Sequence, residues 1–174
     1  SALIDALMQI NLNPEVRLLT GGFDELTPGS YAITKRLGLW KRKPVDSLSL
    51  LSETGPGTLP GEGQAFFLLS GKQGHHDLAR LVSVLTLFAP TNSKQVENEM
   101  LNFVAETGLS LADIDLAILG LNGDGVTDNI YHNLAESPLN QIPVAGFKHL
   151  CGEYDTSSSF ALWLAAEIIH AQQI

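Results

Sequence analysis

Hydrophobic positions along the chain recur in two rhythms. Leu3, Ile4, Leu7 and Met8 fall at helical spacing, and residues 11–14 (NLNP) break the pattern. Residues 16–20 (VRLLT) read as a short strand ending at Gly21-Gly22. Residues 28–40 predict a helix, because a proline in the first turn gives up an N–H that would have no partner there. Residues 41–63 are loop-like, punctuated by Pro44, Gly55, Pro56, Gly57, Pro60, Gly61 and Gly63. Residues 65–70 (AFFLLS) and 81–88 (LVSVLTLF) are continuous apolar runs, as in strands covered on both faces. Asn92 or Ser93 caps a helix with Val96, Met100, Leu101, Phe103 and Val104 inward, and Gly108 ends it. Residues 110–113 form a capping-box pattern with Asp113 in its fourth place. A buried strand (116–120), a helix (128–136) and another strand (142–147) follow. Residues 158–172 are apolar around most of a helix, which predicts a central helix between layers.

Strands alternating with helices define an α/β chain with at least part of its sheet parallel. In such sheets, chemistry gathers in the loops beyond the carboxyl ends of strands. Those loops are Gly21-Gly22, 120–127 and 148–156.

Composition narrows the partners. The 174 residues are 44% hydrophobic, a length that suits one compact domain or a piece of a larger one. Ten Lys+Arg against 19 Asp+Glu give a formal charge of −9, which argues against nucleic-acid and membrane-surface binding. No apolar run reaches the roughly 18–20 residues of a spanning helix, and no secretory pattern is visible. Cys151 is the single cysteine, so neither an internal disulfide framework nor a multi-cysteine zinc site is available. These features predict a cytoplasmic protein. The opening SALIDALMQI lacks an initiator Met and starts inside a helical pattern, so the chain reads as a fragment.

The most distinctive segment is 120–128 (GLNGDGVTD). Its amides could bind an anion at the start of the following helix. Asn122, Asp124 and Asp128 imitate part of a calcium loop, though the full pattern is absent. The plainer alternative is a tight strand-to-helix turn with Asp128 as helix cap. Adjacent His75 and His76, beside Asp77, are poorly placed to share a metal and read as a solvated turn. His132 and His170 read as packing or solvent residues. Cys151 is either a thiolate near a helix N-terminus or a small buried hydrophobe. Lys148 and Glu153 are either an acid–base pair or a salt bridge.

Three stretches together go further: LLTGGFDELT (18–27), PGEGQAFFLLS (60–70), and GLSLADIDLAILGLNGDGVTDN with IPVAGFKHLCGEYDTSSSFALWLAAEII. In order and spacing they resemble the β-ketoacyl synthases, the decarboxylating condensing enzymes of the thiolase-like fold, over nearly the whole chain. The resemblance implies a partial thiolase-like α-β-α-β-α architecture, truncated at both ends. Residues 1–70 would close the N-terminal half, and 71–174 would supply most of the C-terminal half. Thr156, Ser157, Ser158 and Ser159 stand where the family has small residues, allowing close packing or passage of an acyl chain.

Such enzymes use a cysteine nucleophile that takes the acyl group from acyl carrier protein. Two basic residues then assist decarboxylation of the malonyl thioester and stabilise its enolate. By this resemblance the nucleophile lies a few residues before Ser1, so Cys151 is not it. Asn122 matches the family's first histidine, Glu153 its second, and Lys148 its lysine. The glycine-rich gate has no counterpart before Ile174. Asn122 can still donate to a thioester oxygen, whereas an ionised Glu153 cannot and would repel a malonyl group. His149 is an alternative base. The chain as it stands is expected to condense nothing.

The resemblance implies acyl carrier protein with an acyl or malonyl thioester as partner, a homodimer or a heterodimer with another synthase, and no metal or cofactor. Two functions follow: a synthase-like acyltransferase of fatty-acid or polyketide-type elongation with altered bases, or a non-catalytic chain-length-factor-like partner of an active synthase. A small-ligand or carrier-protein binding module stands outside both.

Overall fold

The computed structural model describes residues 2–53, 55–90 and 92–172. Helix α1 (Ala2–Leu12) leads into β1 (Arg17–Asp24), which pairs antiparallel with β2 (Gly63–Ser70). Between these strands lie α2 (Pro28–Arg36) and a 3-10 turn (Ser47–Ser52). The second half carries α3 (Ser93–Glu106), a 3-10 turn (Leu111–Asp113), β3 (Ala117–Leu119), α4 (Asn129–Glu136), β4 (Val144–Gly146), α5 (Lys148–Cys151) and α6 (Ser157–Ala171). β3 and β4 are parallel, Ala117 opposite Val144 and Leu119 opposite Gly146, with α4 as the crossover. The chain is therefore mixed α/β, with one antiparallel and one parallel strand pair among the described residues. No described helix is long and apolar enough to cross a membrane.

Helix ends follow local chemistry. Thr27 caps α2 by accepting from the Ser30 amide at 3.1 Å, and proline occupies the first turn. Asn92 caps α3 by accepting from the Gln95 amide at 2.9 Å. The Ser110–Asp113 box is closed, with Asp113 accepting from the Ser110 amide at 2.8 Å and its hydroxyl at 2.7 Å. Helix α2 stops at Arg36 rather than Trp40, because Gly38 takes a left-handed conformation (φ 80°).

Three expectations need correction. The first strand does not end at Gly21-Gly22 but runs through them to Asp24. Phe66 lies opposite Gly21 and Thr156 packs on Gly22, so both glycines make room for neighbours instead of turning the chain. Residues 81–88 form no strand: 78–88 make no backbone hydrogen bond among the described residues, and Phe88 is fully in solvent. A two-face apolar run signals burial, but a strand also requires a neighbour to take its ladder. Helix α6 packs against β2 and α5 yet leaves Trp163 and Ile169 exposed, so it is not enclosed on all sides.

The main core sits between α3, β3 and α4. Leu119, Leu134 and Leu139 are buried there, with Val96, Met100, Ile130 and Ile142 around them. In the first half the 3-10 turn drives Leu50 into complete burial beneath loop 120–128, and Leu51 packs on Gly146 at the end of β4. One short turn thus supports both loops that follow the parallel strands.

Candidate functional site

Loop 120–128 is shaped from within. Asp128 is only 3% exposed, and its carboxylate accepts from the Asn122 amide at 2.9 Å and the Gly123 amide at 2.8 Å. The Asn122 side-chain carbonyl accepts from the Asp124 amide at 3.0 Å and from the Thr127 hydroxyl at 3.2 Å. Asp124 in turn accepts from the Val126 amide at 3.0 Å. From outside, the Lys41 ammonium donates to the Gly123 carbonyl at 2.8 Å and to the Gly55 carbonyl at 3.1 Å. The Thr58 hydroxyl donates to the Asn122 carbonyl. Gly123 has φ 81°, and a Cβ there would lie 2.6 Å from the Leu50 carbonyl oxygen.

Two of the earlier alternatives fail on this geometry. Asn122 Oδ1, Asp124 Oδ1 and both Asp128 oxygens, which would line a calcium loop, accept from the loop's own amides. Those same amides, being taken, leave little to bind an external anion. No group of three or more His, Cys, Asp or Glu suited to a metal occurs among the described residues. Asp128 holds the N-cap position of α4, where its carbonyl accepts from the His132 amide at 2.9 Å, but its side chain anchors the loop behind it and makes no cap bond to the helix.

The second loop begins with α5. Gly152 ends this single turn with φ 77° and lies against Gly61, where a Cβ would meet the Gly61 Cα at 2.6 Å. The chain then pairs with the 59–61 segment. Glu153 donates its amide to the Leu59 carbonyl at 2.9 Å, and Gly61 donates to the Glu153 carbonyl at 3.0 Å. Asp24, at the end of β1, accepts from the Thr156 amide at 2.8 Å and hydroxyl at 2.6 Å. The GGFD, GEG and 148–156 stretches, far apart in sequence, therefore meet.

Asn122, Lys148 and Glu153 come together. The Lys148 ammonium lies 2.7 Å and 2.6 Å from the two Glu153 oxygens, and Asn122 Nδ2 donates to Glu153 Oε2 at 2.7 Å. Their side chains are mostly buried, at 14% exposure for Lys148 and 25% for Glu153. Partial desolvation strengthens such a pair relative to a surface one. One carboxylate thus consumes the lysine and the asparagine donor alike.

The neighbouring titratable groups favour their neutral forms. Burial pushes the Cys151 thiol up, outweighing the Tyr154 hydrogen bond and the nearby Lys148 charge that pull it down. Tyr154 is pushed up to about 12, first by burial and then by Cys151 and Asp24. Tyr131 is raised by burial and by the carboxylates of Glu153 and Asp128. A raised thiol is a poor nucleophile, so Cys151 reads as a half-buried packing residue. His149 lies on α5, and its Nδ1 is buried with no hydrogen-bond partner among the described residues. It makes no hydrogen bond to Asn122 or Glu153. His75 and His76 are exposed in a turn that Asp77 closes by accepting from the Gly74 amide at 2.7 Å.

Sequence reasoning missed Lys41 and Thr58. Both sit in the glycine- and proline-rich stretch read as loop, and their partners lie 82 and 64 residues away. No local signal marks such contacts. No family model, curated protein or solved structure matches the chain.

Proposed function

We propose that this chain is part of a cytoplasmic, thiolase-like condensing-enzyme relative that acts as a non-catalytic, chain-length-factor-like partner of an active β-ketoacyl synthase. Its setting is fatty-acid or polyketide-type chain elongation on acyl carrier protein. The observation that carries this reading is the closed Asn122–Lys148–Glu153 cluster. In a condensing site the matching positions offer donors or bases to a thioester oxygen and an enolate. Here the two donors are spent on a carboxylate whose charge opposes a malonyl group. The same cluster locks two loops together, which a protein that only shapes a neighbour's site requires.

A second reading is supported by the same convergence. Asn122 Nδ2 and Lys148 Nζ aim at one point, as two donors to an oxyanion would in a synthase-like acyltransferase. The test uses the parent protein with a catalytically active synthase and acyl carrier protein charged with labelled acyl and malonyl groups. The partner reading expects a heterodimer by light scattering, no label on this chain, and product lengths that shift when this chain is present. Acyl label carried by this chain alone, with condensation in the absence of the second synthase, would replace it with the acyltransferase reading.

A further inference from the structure

The formal charge of −9 is unevenly spread along the chain. Residues 26–45 hold five of the ten Lys+Arg and none of the 19 Asp+Glu, so an acidic chain carries one wholly basic stretch. It spans α2 and the turn that follows, ahead of the 3-10 turn at Ser47–Ser52. Lys35, Arg36, Arg42 and Lys43 are exposed and form no ion pair among the described residues. Lys35 lies over the Tyr31 ring at 5.5 Å, a contact that leaves its charge uncompensated. The fifth cation, Lys41, is spent on the Gly55 and Gly123 carbonyls.

Apolar side chains stand among these cations. Ile33, Leu37 and Leu39 are 62%, 70% and 47% exposed, and α2 buries no residue. Residues 35–39 are exposed without a break, and a Cβ at Gly38 would find nothing within 4 Å. The turn therefore projects into solvent instead of lining a groove. Its base is fixed. The Leu39 carbonyl accepts from the Thr58 amide and the Thr58 carbonyl from the Lys41 amide, both at 2.9 Å. The Trp40 indole donates to the Thr34 hydroxyl at 2.7 Å and ties the turn back onto α2.

We infer that this turn docks the protein on an anionic phospholipid surface, with Leu37 and Leu39 entering the headgroup region and Lys35, Arg36, Arg42 and Lys43 on the lipid phosphates. A bilayer yields to a projecting apolar turn, whereas a folded acidic partner would need a complementary pocket for it. Each cation at such a surface strengthens binding about fivefold. Charges more than about 10 Å from the surface are largely screened at about 0.1 M salt, so the groups in contact outweigh the acidic remainder. Net charge argues against a membrane surface only where it is evenly spread. None of the docking residues belongs to the Asn122–Lys148–Glu153 cluster, so this surface and the proposed function stand or fall separately.

The test is co-sedimentation of the full chain with vesicles of pure phosphatidylcholine and of phosphatidylcholine with about one third phosphatidylglycerol, at about 0.1 M salt. The anionic vesicles are expected to bind at least about tenfold more tightly than the neutral ones, and about 0.5 M salt to release most of the protein. Arg42→Glu with Lys43→Glu is expected to weaken binding at least about tenfold, and Leu37→Ser with Leu39→Ser at least about fivefold. Lys94→Glu, which removes a cation elsewhere, is expected to bind natively, with circular dichroism showing that each variant is folded. Equal binding to both vesicle types, or none to either, overturns the inference. Native affinity in the Arg42/Lys43 variant removes this turn as the site, and native affinity in the Leu37/Leu39 variant overturns insertion. Soluble polyglutamate bound as tightly as the anionic vesicles would replace the lipid surface with an acidic protein partner.

Discussion

Glu153 concentrates three polar contacts on one carboxylate, so its removal should be felt through its partners. Glu153→Leu leaves the Lys148 ammonium, mostly buried, without a countercharge and is expected to cost about 2–3 kcal/mol. Adding Lys148→Met should recover most of that loss. Chemical denaturation of the single and double variants checks the coupling, and a coupling near zero would reduce the pair to a surface ornament. Thr20 should behave in the opposite sense. Replacing its unpartnered hydroxyl by a methyl, Thr20→Val, is expected to raise the unfolding free energy by about 1 kcal/mol. Tyr154 sets an alkaline limit. Its folded value of about 12 lies above the ordinary 10, so above pH 10 the unfolded chain loses this proton before the folded one does. Stability from Tyr154 is complete below pH 10 and falls away as pH rises toward 12. Tyr154→Phe should flatten that part of the stability profile and shrink the late component of the tyrosinate absorbance titration, to which Tyr131 also contributes. An unchanged profile would mean that burial does not hold the phenol neutral.

Among the elements, those announced by local chemistry were legible. The Asn92 cap and the Ser110–Asp113 box each use groups within a few residues of one another, whereas the stop at Gly38 was read past, since a helical pattern running on to Trp40 hid its left-handed turn. The parallel pair β3–β4 was legible as well, because a short apolar run, a helix and a second run allow few other arrangements. Residues 81–88 were misread for a physical reason: apolarity reports what a segment avoids, while a ladder depends on a neighbour the segment does not encode. Hydrogen exchange should show this directly, with amides 81–88 exchanging far faster than those of β1 and β2. Protection equal to that of β2 would mean the segment is paired. Asp128 was legible as a residue and misread as a role, since its side chain serves the Asn122 and Gly123 amides behind it instead of the helix ahead. Asp128→Ala is therefore expected to cost about 3 kcal/mol and to speed exchange at those two amides, while α4 keeps its helicity by circular dichroism.

At the scale of the whole molecule, the site residues Asn122, Lys148 and Glu153 were placed together by family resemblance, and the geometry joins them. What holds them was out of reach of any local reading. Lys41, Thr58, the 59–61 segment and Asp24 all belong to the first half of the chain, and each fastens a loop of the second. The β1–β2 pair also carries an apolar outer face, with Leu19, Phe23, Phe66 and Leu68 exposed. The Asp24–Thr156 link has a consequence in time. Its partners are 132 residues apart, which at a synthesis rate of about 5–20 residues per second is an interval of roughly 7 to 26 seconds. Through that interval the nascent chain presents Asp24 without the groups that will close on it. Loop 120–128 meets Lys41 and Thr58 as soon as it is made, whereas loop 148–156 reaches the 59–61 segment and Asp24 only later, so the two halves of the cluster are fastened in succession and not together.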